Sequence, residues 1–301
     1  MDFLYFLEQF RSPAGNIFFQ GITYLGQEFL VIAVICWFYW CSDKKLAYTL
    51  GFSYFFSGLL IQGLKITFRI PRPWILDPRF QAVPSALPDA TGYSFPSGHT
   101  QSITALLGTF AFCCRKKYIP TLCFAGIILV GFSRMYLGCH TPKDVLVSFL
   151  LSLGAVLICC QLLYYKQKDQ GKEACLSAVM LILCLLLTAY ALYLNWSRII
   201  ETEYAMDCLK ASGAGVGFAV GYYIERTRIR FPHPDRLSAK ILCLLVGLIT
   251  TVVLKGVIKL LLGNGLFPAF FSYLIVVCWI LFLYPMVFTR FLGTKGRPAR
   301  K

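Results

Sequence analysis

The chain contains three histidines, and two of them, His99 and His140, fall in short polar segments that also carry Lys65, Arg72, Ser97, Gly98, Arg134 and Asp144. An imidazole can attack phosphorus or carry a proton, a carboxylate can fix the imidazole, and guanidinium and ammonium groups can hold an oxyanion. Phosphoryl transfer suits that inventory, because it asks mainly for positioning and for stabilisation of charge on the equatorial oxygens.

The segments are LKITFRIPRPW at 64–74, FPSGHT at 95–100 and SRMYLGCHTPKD at 133–144. In the first, Lys65 and Arg72 are seven residues apart. A helix through both would present them on one face about two turns apart, until Pro71 and Pro73 end it. In the second, Ser97 is placed to cap the helix that follows, and Gly98 admits a ligand close to the backbone. The helix N-terminus offers free N–H groups to phosphate oxygens, with His99 in its first turn. In the third, Thr141, Pro142 and Asp144 read as N-cap, first-turn proline and capping acid, which is a sufficient structural reason for Asp144. Asp144 is also four residues beyond His140, near enough to bond one ring nitrogen and leave the other as a nucleophile. Arg134 adds a planar fork suited to phosphate. Taken singly, each segment has a plain reading: snorkelling cations, an ordinary cap, a capping box.

The elements that must carry these groups are apolar. Hydrophobic residues make up 57% of the 301 and charged residues 14%, which points to a polytopic membrane protein and an all-α helical bundle. Runs long enough to cross a bilayer fall at 18–41, 46–68, 98–114, 118–138, 144–165, 174–196, 211–224, 241–262 and 269–289, so about nine transmembrane helices are expected. The run 211–224 is short and rich in small residues; without it eight spans would remain and the C-terminal tail would change sides. Gly213, Gly217 and Gly221 in that run suggest close helix packing.

Lys and Arg number eighteen in one set of alternate loops and nine in the other. The first set comprises Lys44, Lys45, Arg115, Lys116, Lys117, Lys166, Lys168 and Lys172, five residues from Arg226 to Lys240, and five from Arg290 onward. Basic residues favour the cytoplasmic side, so the N-terminus is expected outside, the C-terminus inside, and the three segments on the non-cytoplasmic face. The net charge of +15 is thus a matter of topology, and no nucleic-acid partner is expected. Most of the 13 cysteines lie within apolar runs as small hydrophobes. The N-terminus lacks a basic region followed by a cleavage site, so no cleavable signal peptide is expected. The loop 69–97, with six prolines, reads as an ordered functional loop. Two regions are expected: 1–165 with the three segments, and 166–301 with additional helices of unassigned role.

The segments together match a three-part signature, K-x6-RP, PSGH and SR-x5-H-x3-D, in order and unbroken. By these motifs the chain resembles the type 2 phosphatidic acid phosphatase superfamily, over about 65–144. The resemblance implies that His140 attacks phosphorus to form a phosphohistidine, that Asp144 orients it, and that His99 protonates the leaving oxygen. Lys65, Arg72, Ser97, Gly98 and Arg134 would hold the phosphate, with no metal or other cofactor. The nine-span layout is similar to that of glucose-6-phosphatase and the sphingosine-phosphate phosphatases of the same superfamily.

A site at the outer interface suits a phosphorylated lipid that stays in the membrane while its headgroup enters; phosphatidate, phosphatidylglycerol phosphate, isoprenoid pyrophosphates and sphingoid-base phosphates are candidates. A soluble sugar phosphate is the enzymatic alternative. A transporter using the intramembrane Lys255 and Lys259, or a silent lipid-phosphate binder, would not need His99, His140 and Asp144 together. The compact loops point to a bacterial plasma membrane. His233 reads as a surface residue, and Trp74, Tyr93 and Phe95 as residues that flank an acyl-chain entrance or simply populate the interface.

Overall fold

The computed structural model describes residues 1–114, 116–165 and 171–292. Of the basic residues used above for orientation, Arg115, Lys166, Lys168, Lys295, Arg297, Arg300 and Lys301 lie outside the described residues. The structure is 81% helix, with no strand among the described residues. That is how apolar runs satisfy every backbone N–H and C=O without water. In chain order the helices are α1 (Asp2–Glu8), α2 (Pro13–Thr23), α3 (Glu28–Cys41), α4 (Lys44–Phe68), α5 (Pro73–Leu76), α6 (Gly98–Cys113), α7 (Tyr118–Tyr136), α8 (Pro142–Cys159), α9 (Gly171–Trp196), α10 (Thr202–Ile224), α11 (Leu237–Leu262), α12 (Leu266–Cys278) and α13 (Tyr284–Leu292).

Among the described residues five stretches are long and apolar enough to cross a membrane: Tyr118–Tyr136, Pro142–Tyr165, Ala174–Trp196, Leu237–Leu262 and Leu266–Arg290. The pair Pro13–Gly26 and Glu28–Cys41, bent by 44°, makes a sixth if it counts as one span. α4, α6 and α10 occupy the positions of the other expected spans but do not pass that test. α4 is diluted by Thr49, Ser53, Ser57 and Gln62 between its terminal lysines, α6 is 16 residues with a polar first turn, and α10 includes Glu203, Asp207 and Lys210. The short run at 211–224 is the apolar half of the 23-residue α10.

The chain divides into two compact units, Met1–Ile32 with Phe52–Tyr165, and Ala33–Gly51 with Lys166–Lys301. In the first, α6 packs on α7 and α8, and α1 and α2 pack on α7. The loop 69–97 is ordered, with the Ser94 N–H bonded to the Ile70 carbonyl at 2.8 Å and the Val83 N–H to the Leu137 carbonyl at 3.0 Å. Its Val83, Ala86 and Ala90 bury against Tyr136, Leu137 and Cys139 at the turn after α7, with Trp74 packed on the same cluster. Phe95 is also buried, edge-on to Phe68, so two of the three flanking aromatics serve packing.

In the second unit α10 packs on α9 and α12. Gly213 and Gly217 lie against the backbone of Phe270 and Leu274; a Cβ on Gly217 would sit 2.8 Å from the Leu274 carbonyl oxygen. Small residues there let two helices approach closely. Lys44 bonds Glu225 at 2.5 Å and the Phe231 carbonyl at 2.6 Å, and the Tyr48 hydroxyl donates to the second Glu225 oxygen. His233 is not a surface residue. It is half-buried with Nε2 3.0 Å from the Tyr39 carbonyl oxygen and its ring against Phe231. Lys255 and Lys259 are exposed on α11, and Lys255 donates to the Tyr273 hydroxyl at 3.2 Å.

Candidate active site

The first motif does not lie on one helix. α4 ends at Phe68, Arg69 takes a left-handed conformation with φ of 50°, and Arg72 is extended at the start of α5. The prolines at 71 and 73 exclude helix earlier than the seven-residue spacing requires, and Lys65 and Arg72 reach the site from different elements. Lys65 Nζ lies 3.9 Å from where a Cβ on Gly98 would be, beside the first turn of α6. Arg72, 4% exposed, donates through Nε to the Gly92 carbonyl and through Nη2 to the Thr91 carbonyl. Its Nη1 donates to the Cys139 carbonyl and meets His140 Nε2, both at 3.0 Å. One residue therefore closes the far end of the 69–97 loop and touches the imidazole.

Ser97 caps α6, as its position before an apolar run predicts: its Oγ accepts from the Thr100 N–H at 3.4 Å and the Thr100 hydroxyl at 3.0 Å. The Ser97 N–H donates to the Asp144 carbonyl at 3.1 Å, and its own carbonyl accepts from Ser148 at 2.6 Å. The second motif is thereby tied to the third. His99 follows within electrostatic range of Arg134, His140, Lys65 and Arg72.

In the third motif Asp144 caps α8 and also faces His140. Thr141 and Asp144 form a reciprocal capping box on α8. Asp144 Oδ2 accepts from the Thr141 N–H at 2.8 Å and from the Ser94 hydroxyl at 2.7 Å, and lies 3.6 Å from His140 Nδ1, long for a hydrogen bond. Arg72 has only donors, so Nε2 of His140 accepts and the ring proton belongs on Nδ1, facing the carboxylate. Burial first, and Arg72 second, hold His140 down at about 3 against an ordinary 6.5, so the ring is neutral, with its Nε2 lone pair turned to Arg72.

Arg134, in the last turn of α7, has no exposed surface. Its Nη1 donates to the Thr23 hydroxyl at 3.0 Å, while Nε and Nη2 are buried with no hydrogen-bond partner among the described residues. His99 Nε2 and His140 Nδ1 are in the same condition. Buried donors are normally satisfied, and leaving a charged one unpaired is expensive. Nδ1 of His140 faces Asp144, whereas the guanidinium edge and the His99 imidazole are suited to an oxyanion: Nε and Nη2 present two parallel N–H groups, the geometry that grips two phosphate oxygens at once.

The structure brings the eight residues expected from the motifs near one another, together with three supporting groups that the sequence did not single out. Ser94 lies just before the second motif, and its hydroxyl fits the site's polar character. The carbonyls of Thr91, Gly92 and Cys139 carry no side-chain signal, and Thr23, 111 residues from Arg134, carries no signal at all.

Comparison with known proteins agrees with the motifs. A profile of the PAP2 superfamily matches residues 46–168, and one of the PAP2 superfamily phosphatase transmembrane extension matches 209–297. The chain is 30% identical over 166 residues to phosphatidylglycerophosphatase B of Bacillus subtilis, covering 49% of this chain and 73% of that protein. It is 35% identical over 98 residues to the undecaprenyl-diphosphatase BcrC of the same organism, 32% of this chain and 48% of the relative. A probable sphingosine-1-phosphate phosphatase of Dictyostelium discoideum is 28% identical over 199 residues, 60% of this chain and 47% of the relative. The chain thus spans about half the length of the latter two. No solved structure matches.

Proposed function

Because the chain belongs to the PAP2 superfamily, we propose that it is an integral membrane phosphatase that hydrolyses the phosphomonoester or diphosphate of a lipid through a phosphohistidine, without a metal ion. The observation that carries this reading is the buried, unpartnered Nε and Nη2 edge of Arg134 beside His99 and His140. Arg134, Arg72 and Lys65 supply fixed positive charge, and the first turn of α6 adds N–H groups, where phosphate oxygens gain charge in the transition state.

His140 Nε2 attacks phosphorus, the bond to the leaving oxygen breaks, and His99 hands that oxygen a proton. Asp144 receives the Nδ1 proton in a hydrogen bond as the ring becomes cationic; apo contacts of this kind tighten once substrate is bound. Water, deprotonated by His99, then attacks the phosphohistidine and releases inorganic phosphate and the free imidazole.

The relatives' names, a lipid diphosphatase and two lipid monoester phosphatases, favour a lipid substrate over a soluble sugar phosphate. The excess of basic residues in alternate loops supports nine spans with the site on the non-cytoplasmic face, and two Bacillus relatives support a bacterial plasma membrane. In this reading residues 1–165 carry the chemistry and 166–301 form an added helical region.

The test is phosphate release by detergent-purified protein from undecaprenyl diphosphate, phosphatidylglycerophosphate, sphingosine phosphate and glucose 6-phosphate, with EDTA present and His140→Ala alongside. Release that survives EDTA and is lost in the variant is expected, with base-stable, acid-labile phosphate trapped on the wild type. Undiminished release by the variant would end the phosphohistidine reading, and best turnover of glucose 6-phosphate would end the lipid one.

A further inference from the structure

Residues 1–27 precede the part of the chain that matches the superfamily profile, yet they run along the active-site loop. Tyr5 donates to Asp77 at 2.8 Å, Arg11 to the Gln81 carbonyl, Ser85 to Gln20 at 3.3 Å, and Gln27 to Asp89 at 2.8 Å. Positions 5, 11, 20 and 27 thus meet 77, 81, 85 and 89 in the same order. The turn that ends this segment sits on the site itself. A Cβ on Gly26 would lie 2.9 Å from the His99 carbonyl oxygen, so the close approach needs glycine. Three residues earlier, Thr23 is fully buried with its hydroxyl oxygen 3.0 Å from Arg134 Nη1.

We propose that Thr23 is a positioning residue of the phosphate site: its hydroxyl holds one arm of the Arg134 guanidinium so that the opposite Nε and Nη2 edge faces the phosphate. The group is planar and rigid, so fixing Nη1 fixes the remaining donors. Without that acceptor the fork can rotate about its long side chain, and the paired donors lose the alignment that two-oxygen binding requires. The proposal rests on the phosphatase reading only for the identity of the oxyanion as a substrate phosphate.

The experiment uses full-length protein in detergent and two readouts: kcat/KM for the best lipid substrate, and the affinity for orthovanadate, a tetrahedral oxyanion, from its stabilisation against thermal unfolding. Thr23→Val keeps the shape and removes the acceptor; Thr23→Ser keeps the acceptor. The valine variant is expected to lose about tenfold or more in both readouts, and the serine variant to restore them to within about threefold of wild type. If the valine variant does not fold, Thr23→Cys, with a weak acceptor of similar size, is expected to show a partial loss. Wild-type orthovanadate affinity in the valine or cysteine variant overturns the proposal. So does a serine variant as impaired as valine, since the methyl packing would then be what matters. Absence of any orthovanadate stabilisation in the wild type overturns it too, by removing the oxyanion from Arg134. Wild-type protein that binds orthovanadate in a Thr23-dependent way but releases no phosphate from any lipid would sink the phosphatase reading and leave the role of Thr23 standing.

Discussion

In the second unit Lys44 reaches both Glu225 and the Phe231 carbonyl, Tyr48 donates to the other carboxylate oxygen, and no buried ionisable side-chain atom lacks a partner among the described residues. In the first, Arg134 is as deeply buried as Glu225, yet two of its three nitrogens, and one nitrogen of His99, have no hydrogen-bond partner among the described residues. Both arrangements take charge out of water. The difference is where the compensation comes from: within the chain for Lys44 and Glu225 and, under the proposed function, from the substrate phosphate for Arg134. A closed network tells of assembly; an open one, of binding.

Substitutions that treat the two regions alike should have opposite outcomes. Asp144→Asn can keep its amide oxygen on the Thr141 N–H and so keep the cap, but it removes the negative charge that faces His140. It is expected to lower phosphate release on the order of 10⁴-fold with a stability loss of only about 1 kcal/mol, read by initial rates and thermal unfolding of one preparation. Arg134→Met removes the open edge; release should fall about 10³-fold, while stability stays within about 1 kcal/mol of wild type because two unsatisfied donors leave with the charge. A large destabilisation in that variant would erase the contrast with the second unit.

Lys44→Met, by comparison, strands the Glu225 carboxylate. The expected cost is about 3 kcal/mol of stability, most of it recovered in the double variant Lys44→Met with Glu225→Leu. Retention of full stability by the single variant would show that Tyr48 alone satisfies the carboxylate. The smallest effect is one of pH. Because His140 is held at about 3 rather than 6.5, the unfolded chain takes up a proton in that window that the folded chain refuses. The stability it contributes is complete above about 6.5 and is lost as the pH falls toward 3. Thermal unfolding followed from about pH 7 to about pH 4 should decline less steeply in His140→Gln than in wild type; equal slopes would assign the acid sensitivity to other groups.

What the sequence revealed and what it hid divide along the range of the interactions. Ser97, Thr141 and Asp144 are legible because a cap and its partner lie three residues apart. His140 and Asp144 are legible because His140 comes just before the Thr141 cap, four residues from Asp144. The helix expected to carry Lys65 and Arg72 together breaks at Arg69, whose left-handed backbone gives no warning in an arginine. The expected span at 211–224 looked short because Glu203, Asp207 and Lys210 mask the first half of α10. Thr23 with Arg134 and Lys44 with Glu225 are separated by 111 and 181 residues, and nothing local in either partner announces the other.

One oxygen, Asp144 Oδ2, accepts from the Thr141 N–H that begins α8 and from Ser94, and it also faces the imidazole of His140. Under the proposed mechanism, winding the helix and aiming the nucleophile are thus a single trait as far as heredity is concerned. A lineage drifting toward a looser or tighter α8 start must carry its turnover along with it, and the thermal limit of the first turn of α8 becomes an upper bound on the temperature at which the site can work.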